Sequence, residues 1–293
     1  MGPVGGRRLR NPKLLVRDCL PVSGSPFAFG LTFVPPDVLD ATEGVTAVEP
    51  AGRLVEACVA LGASFAFVPS GESWAEDAAV ALAGQGVAVF WVVDGPLWPV
   101  ILEYGELEGL RATLTDPERV GLAIDARMDG VLDRIAAGAH LGVRAIVLAE
   151  DLAGTSGPLV APDFAITELL PRYARIVHSA GALGLCCILH SDGDIRPLLP
   201  AIARAGFVAV HAGGGLDFER FDRLFWAARD VHLAFIGGLL TGELGNKARA
   251  VAIGSTIGVI AEAGGLLVAD DGGITTYEEM RGLIAALQAA RPL

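Results

Sequence analysis

The sequence predicts a single-domain (β/α)8 barrel, an α/β fold, on three observations. A short unbroken apolar run that stops at a polar or glycine-rich break recurs about eight times along the chain. Each run is followed by ten to twenty residues with apolar side chains at helical spacing. No linker, low-complexity stretch or composition shift divides the 293 residues, so one domain over 1–293 is expected. Apolar runs without alternation are what strands buried on both faces require, and strand then helix repeated this often closes a barrel. A doubly wound open sheet is the alternative the same pattern allows.

In chain order the strand runs are 27–33, 65–68, 87–93, 145–149, 186–189, 207–210, 233–236 and 266–269. Helices are expected at 50–61, 72–83, 117–141, 162–181, 194–205, 217–229, 243–261 and 276–290. In 162–181, Phe164, Leu169, Leu170, Tyr173, Ile176, Val177 and Ala180 fall at three- and four-residue steps, opened by Pro162-Asp163 and closed by Gly181. In 194–205, Asp194 is placed to cap, Leu198, Leu199, Ile202 and Ala203 face inward, and Gly206 stops the helix. Residues 1–12 are expected to form a flexible tail.

Composition excludes several classes of function. Hydrophobic residues make up 52% of the chain and mean hydropathy is +0.51, enough for a large core. With 22 Lys+Arg against 34 Asp+Glu, the net charge of -12 argues against nucleic acid and against an anionic membrane surface. The apolar stretches 87–102 and 251–269 approach membrane length, but Asp94, Pro96 and Pro99 interrupt one, and Glu262 with several glycines the other. The four cysteines form no Cys-x-x-Cys pair, so no thiolate zinc knuckle is signalled, and a cytoplasmic location is expected.

In a barrel the C-terminal strand ends converge on one mouth, so the residues just beyond each run are where chemistry is sought. They are Ser70 and Glu72, Asp94, Glu150 and Asp151, His190 and Asp192, His211, Gly237-Gly238, and Asp270-Asp271. His190 with Asp192 is the strongest pair, because an imidazole and a carboxylate two apart beyond a strand can share a ligand or a proton. Asp94 before Gly95-Pro96 reads equally as a turn residue, Asp194 as a helix cap, and His211 before three glycines as a structural histidine. His140, His178 and His232 are most simply structural. Gly237-Gly238 and Gly272-Gly273 fall where barrels hold an anion on bare amides. The chain has no Gly-x-Ser-x-Gly elbow, no phosphate loop and no dinucleotide glycine motif in strand–helix context.

Several blocks carry a family resemblance: 151–162 (DLAGTSGPLVAP), 170–173 (LPRY), 188–195 (ILHSDGDI), Thr276-Tyr277-Glu278-Glu279-Met280, and Gly95-Pro96. Together they resemble the uroporphyrinogen decarboxylase superfamily, whose other branch comprises methyltransferases that work with corrinoid proteins. The resemblance implies the same barrel. It implies methyl transfer to or from a corrinoid or a small acceptor, with His190 and Asp192 as metal ligands or as an acid/base pair. Glu150 and Asp270 are then expected to hold the metal or orient substrate, and His211, Gly237 and Gly238 to contact a cofactor. The methyltransferase branch binds zinc through His-x-Cys and a later Cys. Here Asp192 stands at the first cysteine position and Asp270-Asp271 near the second, a set that suits zinc or a harder divalent ion. The decarboxylase branch implies an arginine-rich motif after the first strand, where this chain has Thr32-Phe33-Val34-Pro35-Pro36, and a His-Gly pair near the last, where it has Asp270-Asp271-Gly272-Gly273. A decarboxylase of a less anionic substrate, using Asp94 or Asp192 on the departing carboxylate, is a second reading, and a non-catalytic tetrapyrrole- or corrinoid-binding module a third. The expected partners are a small-molecule substrate and a corrinoid protein; a homo-oligomer is compatible with the sequence.

Overall fold

The computed structural model of the chain describes residues 28–262 and 264–290; the expected tail at 1–12 and Phe27 of the first run lie outside them. Eight parallel strands follow one another in chain order around a barrel. They are β1 (Gly30–Leu31), β2 (Phe65–Pro69), β3 (Ala88–Asp94), β4 (Ala145–Ala149), β5 (Cys186–Ser191), β6 (Ala209–Ala212), β7 (Ala234–Leu239) and β8 (Leu266–Asp270). A parallel bridge from Phe29 to Val268, with the Val268 amide donating to the Ala28 carbonyl at 2.8 Å, brings the first strand against the last. All eight expected runs are strands of this barrel.

Successive strand side chains point to opposite faces, and both faces here are dry. Phe65, Phe67, Phe90, Val92, Val147, Ile188, Ile236 and Leu267 fill the barrel interior, with the Phe65 and Phe90 rings stacked at 4.7 Å. Gly30 makes room for that layer: a Cβ there would fall 2.1 Å from the Phe65 ring. Their neighbours Ala66, Val68, Val89, Trp91, Ile146, Leu148, Cys187 and Leu189 pack outward against the helices. This two-residue alternation decides which strand-end side chains reach the mouth.

The helices depart from the sequence pattern in places. The apolar stretch 87–102 is β3, a turn, and a helix over Leu97–Glu103. A further helix over Glu106–Thr115 was not expected, because Leu107 and Leu114 are 76% and 69% exposed and draw no inward stripe. The expected helix 117–141 is two, Pro117–Asp125 and Met128–His140, and the one at 162–181 contains a π turn at Ala165–Leu169. Asp194 accepts from the Arg196 amide at 3.2 Å and from its guanidinium Nε at 2.8 Å, ahead of a 3-10 turn at Arg196–Leu198. A two-residue-armed hairpin, Ala153–Gly154 with Gly157–Pro158, follows β4. Among the described residues, no helix is long and apolar enough to cross a membrane.

Helices Lys247–Glu262 and Tyr277–Ala290 approach through glycine. A Cβ on Gly254 would lie 2.1 Å from the Ala286 carbonyl oxygen, and one on Gly258 2.4 Å from that of Ala290. Backbone cannot swing aside as a side-chain tip can. Gly254→Val is therefore expected to cost about 1–3 kcal/mol in a urea unfolding titration; an unchanged midpoint would show that the helices separate freely.

Candidate functional site

The strand ends open into a cavity of about 430 Å³ lined by Phe33, Trp98, Asp151, His190 and Asp192 among others. Three of these converge: one ligand atom each of Asp151, His190 and Asp192 lie within 4.8 Å of one another. Alternation brings them there. Ile188 faces the barrel interior, so His190 and Asp192, two and four residues on, continue the same face. Val147 and Ala149 likewise carry Asp151 to the mouth. In register, Ala149 is paired with His190 and His190 with His211, which places the side chains at one level of the barrel.

Hydrogen bonds hold this arrangement. The Asp192 amide donates to Asp151 Oδ1 at 2.9 Å, and the Trp98 indole donates to the Asp151 carbonyl at 2.8 Å. Ser191 Oγ accepts from the Leu152 amide and donates to the Asp192 carbonyl, each at 2.9 Å. His190 Nε2 lies 3.7 Å from Asp151 Oδ1. Asp192 Oδ1 is buried and accepts no hydrogen bond among the described residues. It lies against two glycines: a Cβ on Gly214 would fall 2.3 Å from it, and one on Gly272 3.0 Å. Burial, with help from the charges of Asp151 and Asp270, pushes the Asp192 carboxyl up to about 6. Burial, then the neighbouring His211, holds His190 well below the ordinary imidazole range.

The remaining strand-end residues are placed differently. Glu150 falls on the outward face, following Leu148, and its carboxylate accepts from the Leu97 and Trp98 amides at 3.0 Å each and from the Tyr173 hydroxyl. It thus caps the Leu97–Glu103 helix, where the positive end of the helix dipole favours an anion. Burial pushes it up to about 7, against the hydrogen bond from Tyr173. Asp94 lies at the cavity rim, its side chain 78% exposed and 3.8 Å from Arg134. Asp270 does not join the trio: both of its oxygens accept from Thr32 Oγ1 at 2.6 Å, and Oδ1 also accepts from the Gly273 amide at 2.6 Å. His211 is buried beneath the mouth, its Nδ1 2.8 Å from His190 Nδ1 and its Nε2 2.9 Å from the Asp270 carbonyl oxygen. Gly237 and Gly238 lie within β7 at φ of 138° and 97°, and a Cβ on them would meet Phe235 and Ile257, away from the cavity wall. Of the two acids that follow the fourth run, the role at the mouth expected of Glu150 falls to Asp151, as the alternation through Val147 and Ala149 dictates.

Asp271 is buried beside the mouth, its Oδ1 accepting from the Thr241 amide and hydroxyl at 2.9 Å while Oδ2 has no partner among the described residues. Burial pushes its carboxyl up to about 7. Folding therefore disfavours the charged form, a penalty absent below the unfolded value near 4, growing as pH rises, and complete above about 7. Asp271→Asn keeps the acceptor and cannot ionise. The difference in melting temperature, variant minus wild type, is expected to rise by several degrees between pH 4 and pH 8; a flat difference would disprove the buried charge.

No protein-family model matches the chain, and no curated protein matches it. Solved structures do match. A methyltransferase from Methanosarcina mazei superimposes with a TM-score of 0.67 at 16% identity, over 95% of this chain and 98% of that one. The likeness is one of fold. An apo 3-keto-D-glucoside 4-epimerase from E. coli gives a TM-score of 0.53 at 13% identity over 90% of this chain and 98% of its own. A D-psicose 3-epimerase gives 0.51 at 13% identity over 89% and 95%.

Proposed function

We propose that this chain is a metal-assisted enzyme of the uroporphyrinogen decarboxylase superfamily type, transferring a methyl group to or from a small acceptor or a corrinoid, with Asp151, His190 and Asp192 as the ligands of a divalent ion. The observation that carries the proposal is the convergence of these three ligand atoms within 4.8 Å, one of the groups being the half-buried carboxylate of Asp192, whose buried Oδ1 has no hydrogen-bond partner among the described residues. Two carboxylates aimed at one point repel unless a cation lies between them. One nitrogen with two carboxylates suits zinc, or manganese and magnesium at the harder end. Such an ion supplies Lewis acidity, lowering the pKa of a thiol, hydroxyl or water bound to it.

The chain's own residues do the rest. Phe33 and Trp98 wall the cavity and limit water, while the bond from the Trp98 indole to the Asp151 carbonyl steadies the loop that carries one ligand. Glu150, by capping the Leu97–Glu103 helix, keeps that wall in place. Among the described residues lining the cavity none is Lys or Arg, so nothing there pairs with a departing carboxylate or a polyanionic tetrapyrrole. This supports methyl transfer over decarboxylation. The same reading carries a corrinoid protein as the partner and a cytoplasmic setting.

Elemental analysis tests it. Protein incubated with zinc or manganese and then desalted is expected to carry about one divalent ion per chain, and His190→Ala to carry almost none and to lose methyl transfer from methylcobalamin to a thiol. Wild-type protein that retains no ion from either solution would sink the metal reading. Tetrapyrrole binding without metal would favour the non-catalytic module.

A further inference from the structure

His190 and His211 form a stacked pair of rings across β5 and β6, with centroids 4.8 Å apart, planes 28° apart and Nδ1 atoms 2.8 Å apart. The second nitrogen of His211, Nε2, lies 2.9 Å from the Asp270 carbonyl oxygen. A carbonyl oxygen only accepts, so Nε2 of His211 carries a proton. The His211 ring has no exposed surface and His190 is only 7% exposed, so a charge on either imidazole would have to be taken out of water. A neutral His211 protonated on Nε2 offers a lone pair at Nδ1. The 2.8 Å contact is then a hydrogen bond only if His190 donates from its own Nδ1. One proton per neutral ring leaves Nε2 of His190 bare, and that is the atom 3.7 Å from Asp151 Oδ1.

We propose that His211 is a positioning residue: anchored by the Asp270 carbonyl, it fixes His190 as the Nδ1–H tautomer and so presents a bare Nε2 to a divalent cation held with Asp151 and Asp192. The proposal rests on the metal reading above and adds to it the residue that prepares the nitrogen ligand. The opposite tautomer would turn an N–H toward Asp151 and leave no lone pair on that nitrogen for a cation. Metal-ligating histidines commonly donate their second ring nitrogen to a carboxylate or a backbone carbonyl, which sets the tautomer and the ring orientation. Here a second imidazole takes that place and passes the constraint on to the Asp270 backbone. Phe33 packs on both rings, at 4.7 Å from His190 and 5.9 Å from His211, and Phe67 meets His211 at 5.1 Å, which fixes the ring planes and keeps water from competing for Nδ1.

The test uses full-length, metal-free protein labelled with 15N on histidine, whose ring tautomers are read by long-range proton–nitrogen correlation. Wild type is expected to show His190 protonated on Nδ1 and His211 on Nε2. In His211→Leu, which removes the acceptor, the His190 proton is expected to move to Nε2 and zinc affinity to fall about 10–100-fold. His211→Asn restores an acceptor near the Nδ1 position, so it is expected to recover the tautomer and most of the affinity, which a purely structural role for the ring would not give. An Nε2-protonated His190 in wild type overturns the proposal, and this holds even where a variant fails to fold. Equal zinc affinity in wild type and His211→Leu also overturns it. A wild type with the expected tautomers that takes up no zinc overturns the metal reading instead, leaving the tautomer assignment standing.

Discussion

Replacing Gly214 by alanine is expected to weaken divalent-metal binding by about 10–100-fold while leaving the barrel folded. Gly214 follows β6, between Gly213 and Gly215, whose φ angles of 104° and 79° require glycine. Gly214 itself lies outside the left-handed region, so alanine meets no backbone penalty there. The obstacle is the new methyl group, 2.3 Å from Asp192 Oδ1 and 2.7 Å from its Cγ, which must displace the carboxylate from the position it holds in the trio. Gly71→Ala is the control, since a Cβ at that position meets nothing within 4 Å. Isothermal titration with zinc and far-ultraviolet circular dichroism separate the two effects. Equal affinity in Gly214→Ala and wild type would show that Asp192 holds no metal.

Glu150→Ala is expected to destabilise the fold by about 3 kcal/mol, since two buried donors and one part-buried donor lose their acceptor at roughly 1–3 kcal/mol for each buried one. Those donors are the Leu97 and Trp98 amides and the Tyr173 hydroxyl, so the Leu97–Glu103 helix loses its cap and the helix after the π turn loses its tie to the strand end. Glu150→Gln retains an oxygen for one of these donors but brings an amide group against the others, and is expected to fall between alanine and wild type. Guanidinium unfolding monitored by tryptophan fluorescence reads both variants. Near-wild-type stability of Glu150→Ala, together with loss of activity, would return Glu150 from an anchor to a catalytic group.

The barrel was legible because its strands are buried on both faces, which leaves a run such as Val87–Val93 without polar interruption. His190 and Asp192 were legible for a related reason: they follow an apolar run at the spacing that keeps them on one face of β5. The helix at Glu106–Thr115 was not, because Leu107 and Leu114 face solvent and Leu110 alone among its leucines packs toward the core, too few for a periodic signal. Asp151 and Glu150 differ by one position, and only the direction of each side chain sends one to the cavity and the other beneath the Leu97–Glu103 helix. Asp270 is implied as a metal ligand by the family resemblance, near the later cysteine of the methyltransferase branch. Its carboxylate is bound instead by Thr32, 238 residues away, a partner that no local pattern announces.

The sequence by itself determined the architecture and the end of the barrel where polar chemistry collects, because burial and periodicity act between neighbours along the chain. Only the tertiary structure decided which acids face His190, which glycines make room for Asp192 and which ring sits behind the imidazole. Those choices depend on strands brought together by barrel closure, where side chains distant in sequence share one small volume and compete for the same hydrogen bonds.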